Sequence, residues 1–132
     1  MNSQIKIPMV RPDITEREAF YVNRAVMEGE ISPKGKYVAE FEERLADYLG
    51  FKYAVASNSG YSALLLAVRS LAIEKIVMPT LTMVASATAA KHAGSKIEFV
   101  DVNERGLMEG EYFHDTIMTV DLYGKISQAK SH

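Results

Sequence analysis

Apolar residues recur at helical spacing in the first third of the chain. One apolar stripe begins at Val38. It continues three, seven, ten and eleven residues later, at Phe41, Leu45, Tyr48 and Leu49. That spacing predicts an amphipathic helix that ends at Gly50. An earlier helix is predicted from Thr15 to about Met27, because Thr15 and Glu18 have the spacing of a capping box and Gly29 follows the apolar pattern.

From Lys52 onward the pattern changes to short β-prone runs that alternate with helical stretches. Four strands are predicted, at residues 53–56, 75–78, 96–100 and 116–120. Two helices are predicted between them, at residues 62–73 and 82–92. The first of these is apolar nearly all round, so we expect it to be buried. Apolar strands joined through helices indicate a mainly parallel sheet covered on both faces, so the predicted fold class is α/β, a three-layer α/β/α arrangement.

The chain shows no internal repeat and no linker composition. It is therefore predicted to be a single domain over residues 1–132, with a helical N-terminal segment at 1–50 and an α/β core at 51–132. Residues 103–115 are the least regular stretch and are expected to form a surface connection.

Composition excludes several classes of protein. The chain has 132 residues, of which 48% are hydrophobic, so global disorder is excluded. A net charge of −2 without a Lys/Arg cluster argues against nucleic-acid binding. The absence of cysteine removes disulfides, thiolate zinc sites and Cys nucleophiles. No run is long enough to span a bilayer and the N-terminus lacks a signal-peptide pattern, so we expect no membrane partner and a cytoplasmic location.

The loops after the predicted strands are the candidate ligand sites, because open α/β sheets bind ligands beyond the carboxyl ends of their strands. The first loop, Ser57–Ser62, is a small, hydroxyl-rich turn that enters a helix directly from a strand. The amides of the first helical turn and the hydroxyls of Ser59 and Ser62 suit a phosphate group. The alternative is an ordinary strand-to-helix turn with a serine cap.

The other three loops carry weaker signals. Thr82 is a natural N-cap for the helix that follows it. Asp101 and Asp121 end strands, where paired carboxylates could act as acid and base but more often cap or form turns. The three histidines have no metal-ligand spacing and no serine lies in a nucleophile elbow, so neither a metal site nor a serine nucleophile is predicted.

Segments in collinear order over most of residues 8–124 resemble the DegT/DnrJ/EryC1/StrS sugar aminotransferases, with perosamine synthase-like members nearest. The segments that carry the resemblance are Glu28–Gly50, Tyr53–Leu64, Val77–Thr82, Phe99–Asp101 and Leu122–Gly124. The resemblance implies part of the large domain of a fold type I transferase that depends on pyridoxal phosphate (PLP). Such enzymes are usually homodimers and move an amino group from glutamate to a 4-keto nucleotide sugar.

The resemblance also implies a set of cofactor-binding positions. The turn at Ser59 and Gly60, with the next two residues Tyr61 and Ser62, would hold the phosphate of PLP. Met83 would lie where the family has an aromatic residue that stacks on the pyridine ring. Tyr61 stands where a Thr usually supplies a phosphate-binding hydroxyl, so Tyr61 and Met83 both depart from the family pattern.

Two catalytic residues of the family are expected to lie beyond this chain. They are the Asp that pairs with the pyridinium nitrogen and the Lys that binds the cofactor covalently. The chain is therefore expected to be inactive alone, or completed by a partner chain, with no covalent PLP. The alternative is a noncatalytic relative that binds a phosphate-containing ligand, such as a nucleotide sugar, or a full-length relative. An unpaired strand edge is expected to favour a homodimer or a hetero-assembly with a related chain.

Overall fold

The computed structural model describes residues 11–113 and 116–131. The chain divides into two compact units, Met1–Ala56 and Ser57–His132. The N-terminal unit contains α1 (Glu16–Met27) and α2 (Lys36–Leu49). The C-terminal unit contains α3 (Gly60–Ser70), β1 (Lys75–Pro79), α4 (Val84–Ala93), β2 (Lys96–Val100), β3 (Glu111–Tyr112), a 3₁₀ turn at Leu122–Gly124, and β4 (Lys130–Ser131).

The two predicted helices of the N-terminal unit are confirmed. Thr15 caps α1, and its backbone amide donates to Oε2 of Glu18 at 2.8 Å, which completes the predicted capping box. The second helix ends at Gly50 as predicted. Within α2, however, Ala46 is the buried residue while Phe41 and Tyr48 are exposed. The apolar stripe of α2 is thus largely uncovered.

Glu28 joins the end of α1 to the start of α2. It caps α1, and its carboxylate accepts hydrogen bonds from Arg24 Nε at 2.8 Å, Lys36 Nζ at 2.7 Å and the Tyr37 hydroxyl at 2.8 Å. The hydrogen bonds from Lys36, Arg24 and Tyr37 lower the pKa of Glu28 to about 2. The same contact raises the pKa of the Lys36 ammonium. The connection between the two helices is therefore fixed by a charged cluster rather than by an apolar core.

The core of the C-terminal unit forms around β1. This strand pairs with β2 in parallel, in a register that places Lys75 opposite Lys96 and Pro79 opposite Val100. The predicted strands at 75–78 and 96–100 and their parallel pairing are confirmed. The helices α3 and α4 pack on each other, and their residues meet those of β1 in a cluster of fully or nearly fully buried side chains: Val68, Ile76, Met78 and Ala90.

The prediction of a strand at 53–56 is wrong, because β-prone residues form a strand only where another backbone lies alongside. The prediction at 116–120 is met only by a single bridge. In the described part of the N-terminal unit no strand is present to pair with 53–56, and the amide of Ala56 donates instead to Oε1 of Glu42 at 2.7 Å. The second segment meets β1 at one parallel bridge, between Val77 and Ile117. Residues 53–56 therefore form no strand, whereas the second segment bonds to β1 on both sides of Val77, whose amide donates to the Thr116 carbonyl oxygen at 3.2 Å and whose carbonyl oxygen accepts from the Met118 amide at 2.8 Å.

The expected burial of the helix at 62–73 is also wrong. The helix spans Gly60–Ser70, and its one buried residue is Val68, whereas Leu66 is 51% exposed. Only the side of α3 that faces the core is covered. The chain leaves this helix through Ala72, which has a left-handed backbone with φ of 50°.

Two loop predictions need correction. Thr82 does not cap the following helix, because its hydroxyl donates to the Ser86 hydroxyl at 3.0 Å and the capping position is taken by Met83. The stretch predicted as a surface connection, 103–115, is described as far as 113, and this part is not simply on the surface, since Leu107 and Met108 are buried. A turn closed by the Asn103 carboxamide, which accepts from the Leu107 amide at 3.1 Å, directs these two residues inward.

The charged cluster at Glu28 predicts acid sensitivity of the N-terminal helices. Because the pKa of Glu28 is lowered from 4.5 to about 2, its contribution to folding is complete above the unfolded value and is lost as the pH falls through the folded value. We expect Glu28→Gln to lower the melting temperature of the helices near pH 7, as followed by circular dichroism. On acidification the melting temperature of this variant should fall less than that of the wild type. Glu43→Gln, on the outer face of α2, is the control. Equal acid profiles for the wild type and Glu28→Gln would contradict this assignment.

Candidate functional site

Ser59 caps α3 and organises a cluster of hydroxyl groups at the start of this helix. Its hydroxyl accepts from the Ser62 amide at 3.2 Å and donates to the Ser62 hydroxyl at 3.1 Å. The Ser62 hydroxyl in turn donates to Oδ1 of Asn58 at 2.7 Å. The turn is therefore a serine-capped helix start, as the ordinary alternative expects, and it also concentrates polar side chains in one place.

The two amides that precede Ser62 remain available. Among the described residues, the backbone N–H groups of Gly60 and Tyr61 have no hydrogen-bond acceptor. Both lie at the positive end of the α3 dipole, and Gly60 is exposed. Two amides and two hydroxyls from Ser59 and Ser62 thus surround the start of the helix, and this donor set suits an anion.

Gly60 is not required by the fold of the turn itself. It is absent from the positive-φ positions, and a Cβ atom built on it would meet nothing within 4 Å. Any requirement for glycine at this position must therefore come from something that approaches the backbone from outside the described chain.

Tyr61 belongs to the same turn through its backbone, but its side chain makes a separate contact. The phenol oxygen lies 2.6 Å from Nδ1 of His92, and the two rings meet edge to face with centroids 6.0 Å apart. His92 is further held by Arg69, whose guanidinium donates to the His92 carbonyl oxygen at 3.0 Å. The Tyr61 hydroxyl is thus engaged with α4 and does not join the serine hydroxyls.

Met83 lies after the carboxyl end of β1, at the capping position of α4, and is 75% exposed. The structure brings Ser59, Gly60, Tyr61 and Ser62 together in one turn. Within the described ranges, no hydrogen bond or ring contact joins Met83 to that turn. Its predicted place against a cofactor ring stays a prediction.

The two carboxylates that were predicted at strand ends have turn-forming contacts. Asp101 accepts from the amide of Val102 at 2.8 Å, and Asp121 accepts from the amide of Ser127 at 2.9 Å. In the described part of the chain, no group of three or more His, Asp or Glu side chains could hold a metal ion. Likewise, no helix over these residues is both long and apolar enough to cross a membrane.

The fold defines the class of protein. A Streptococcus pneumoniae protein described as a sugar aminotransferase, Spr1654 in its PMP form, superposes with a TM-score of 0.74 at 29% sequence identity, over 91% of this chain and 33% of its own. An aminotransferase from Psychrobacter cryohalolentis superposes with a TM-score of 0.65 at 28% identity, over 74% of this chain and 26% of its own. The α/β fold is thus that of the PLP-dependent aminotransferases of fold type I.

The chain belongs to the DegT/DnrJ/EryC1/StrS aminotransferase family, whose model matches residues 12–131. It is 37% identical over 129 residues to GDP-perosamine synthase of Escherichia coli O157:H7, covering 89% of this chain and 35% of that protein. It is 49% identical over 82 residues to UDP-4-amino-4,6-dideoxy-N-acetyl-beta-L-altrosamine transaminase of Campylobacter jejuni, covering 61% of this chain and 22% of that protein. The chain thus spans about a third or less of the length of these relatives, and the predicted family resemblance is confirmed.

Gly60 and Gly94 form a matched pair in which the effect of backbone strain on stability can be measured without an effect of steric crowding. A Cβ atom added at either glycine would meet no other atom within 4 Å. Gly94 has a φ of +98°, whereas Gly60 has no positive φ. We expect Gly94→Ala to lower the free energy of unfolding by about 1 kcal/mol, because alanine is strained in that conformation. Gly60→Ala should leave it unchanged or raise it slightly, as measured by urea denaturation. A clear loss of stability in Gly60→Ala would show a constraint at this turn that the backbone does not explain.

Proposed function

We propose that this chain supplies the cofactor-phosphate part of a nucleotide-sugar aminotransferase site, with the first turn of α3 holding the phosphate of PLP. The observation that carries the proposal is the pair of amides at Gly60 and Tyr61 without an acceptor among the described residues, flanked by the hydroxyls of Ser59 and Ser62. Family membership adds support, since the relatives include a GDP-perosamine synthase and a nucleotide-sugar transaminase.

The residues present fit the phosphate of PLP in their donor chemistry. A phosphate dianion accepts several hydrogen bonds and is favoured at a helix N-terminus. The serine hydroxyls bond to one another and to Asn58, so they can rotate towards an anion without breaking a helix hydrogen bond. Met83 offers a polarizable side chain for an aromatic ring. When bound, PLP supplies an electron sink for the amino carbon of the substrate.

The chain on its own is proposed to bind PLP without a covalent bond and without turnover. Several of its lysines have other partners. Lys36 pairs with Glu28, Lys75 pairs with Glu98, and the Lys125 ammonium donates to the Arg105 carbonyl oxygen at 3.3 Å. None of these contacts places an amine at the start of α3. Completion of the site by a related chain would supply the missing amine and the carboxylate for the pyridine nitrogen.

Ser59→Asp separates phosphate binding from helix capping. Aspartate caps a helix as well as serine does, so stability should be kept, but its carboxylate repels the phosphate. We expect the affinity for PLP to fall at least about tenfold, from like charges a few ångströms apart. Binding is followed through the amide signals of Gly60 and Tyr61 in two-dimensional NMR, and stability by thermal melts.

Ser59→Ala is the matched control in this experiment. It should lower stability by about 1 kcal/mol through loss of the cap, yet it keeps both free amides and most of the PLP affinity. An unchanged PLP affinity in Ser59→Asp would show that the phosphate does not bind at this turn.

Borohydride treatment of the PLP-loaded chain should leave no single lysine modified, and stoichiometric modification of one lysine would refute noncovalent binding.

A second candidate function is favoured by Tyr61, whose hydroxyl is bound to His92. The chain would then be a noncatalytic relative that binds another phosphate-containing ligand or a full-length relative. In that case inorganic phosphate and a nucleotide sugar should perturb the amides of Gly60 and Tyr61 at lower concentrations than PLP does.

We also propose that the chain assembles with a second copy or with a related chain through a sheet edge. Within the described residues β2 pairs only with β1, and Phe99 on β2 is 52% exposed. Such an edge favours pairing with another strand.

Sedimentation velocity tests this assembly. The wild type should show concentration-dependent association, and Phe99→Lys should weaken it, because charged side chains protect strand edges from pairing. Met27→Lys, at an exposed position of the N-terminal unit, is the control and should associate like the wild type. A wild-type chain that is monomeric at all concentrations would contradict the proposal.

A further inference from the structure

The pair formed by Tyr61 and His92 links the candidate site to the far end of α4. Tyr61 lies in the first turn of α3 and His92 in the last turn of α4. Their side chains meet at 2.6 Å, a short hydrogen bond between the phenol oxygen and Nδ1. The edge-to-face contact of the rings adds a second restraint on the orientation of the phenol.

Arg69 shows on which side of α3 this pair lies. Arg69 is eight residues beyond Tyr61 in the same helix, a distance of about 12 Å along the axis. Both side chains nevertheless reach His92, Arg69 through its bond to the carbonyl oxygen at 3.0 Å. The phenol is therefore held beside α4, on the flank of α3 that also carries Arg69.

We infer that His92 is a positioning residue for the phosphate site. By holding the Tyr61 phenol on the flank of α3, it keeps the front of the helix open to an anion, although Tyr61 is a bulky residue in the first turn. This inference rests on the proposed phosphate site and adds a residue that touches neither the phosphate nor the cofactor. Its role is to restrict one side chain to the orientation in which the amides are accessible.

The size of the expected loss in phosphate affinity follows from the rotamer populations of Tyr61. A tyrosine side chain has three staggered orientations about χ1, and His92 selects one of them. Without His92 the phenol is shared among the three orientations, and in this inference only the one beside α4 leaves the helix start open. The apparent affinity for a phosphate group then falls in proportion to the fraction of open molecules, which gives a loss of about threefold.

The test compares His92→Ala in two backgrounds of the full 132-residue chain. With Tyr61 present, His92→Ala should weaken inorganic phosphate and PLP binding about threefold. In the Tyr61→Thr background, which has no phenol to position, the same substitution should have no effect. Equal losses in both backgrounds would show a merely structural role for His92, and no loss with Tyr61 present would refute the inference.

A ligand-free measurement keeps this test separate from the proposed function. In NMR spectra without ligand, His92→Ala should shift the amide signals of Gly60 and Tyr61, and the corresponding shift should be absent in the Tyr61→Thr background. Unchanged signals in the Tyr61 background would overturn the inference even if phosphate binds. Failure of the wild type to bind either phosphate or PLP, with these shifts present, would instead refute the proposed function alone.

Discussion

The geometry of the candidate site depends on how the first amides of α3 are satisfied. A helix start leaves its first N–H groups without intrahelical partners, and a single capping side chain satisfies one or two of them. In this chain the Ser59 hydroxyl accepts from the Ser62 amide, while the amides of Gly60 and Tyr61 have no acceptor among the described residues. The cap therefore stabilises the helix and at the same time leaves two donors directed outward. A phosphate group provides the acceptors that this arrangement lacks.

Much of the fold could be predicted because its signals are local. The capping box of α1, the apolar spacing of α2 and the apolar runs at β1 and β2 each act within a few residues, and the structure contains all four elements. The failures lie where a prediction depends on a distant partner. Residues 53–56 have the composition of a strand but lie in a unit whose described part contains only helices as regular elements. The prediction that α3 is buried is wrong for the same reason, since the exposure of a helix depends on which other elements cover it.

The candidate site shows the same division between local and distant information. The turn from Ser59 to Ser62 can be predicted from its own residues, because a hydroxyl-rich turn at a helix start is a local feature. The partner of Tyr61 could not be found this way. His92 lies 31 residues away, in a different helix, and its position in the sequence indicates only that it lacks metal-ligand spacing. Its contact arises from the packing of α3 on α4, which the sequence pattern does not specify.

This contact also changes how the departure at position 61 is understood. A tyrosine where the family usually has threonine removes a small hydroxyl from the proposed phosphate site, which by itself suggests loss of binding. The structure shows that the phenol has its own partner and that the backbone amide of Tyr61 has no acceptor among the described residues. A phosphate held mainly by backbone amides needs the helix start to be open more than it needs one particular hydroxyl. The substitution is therefore compatible with binding as long as the phenol stays beside α4, and the packing of Tyr61 on His92 supplies that condition.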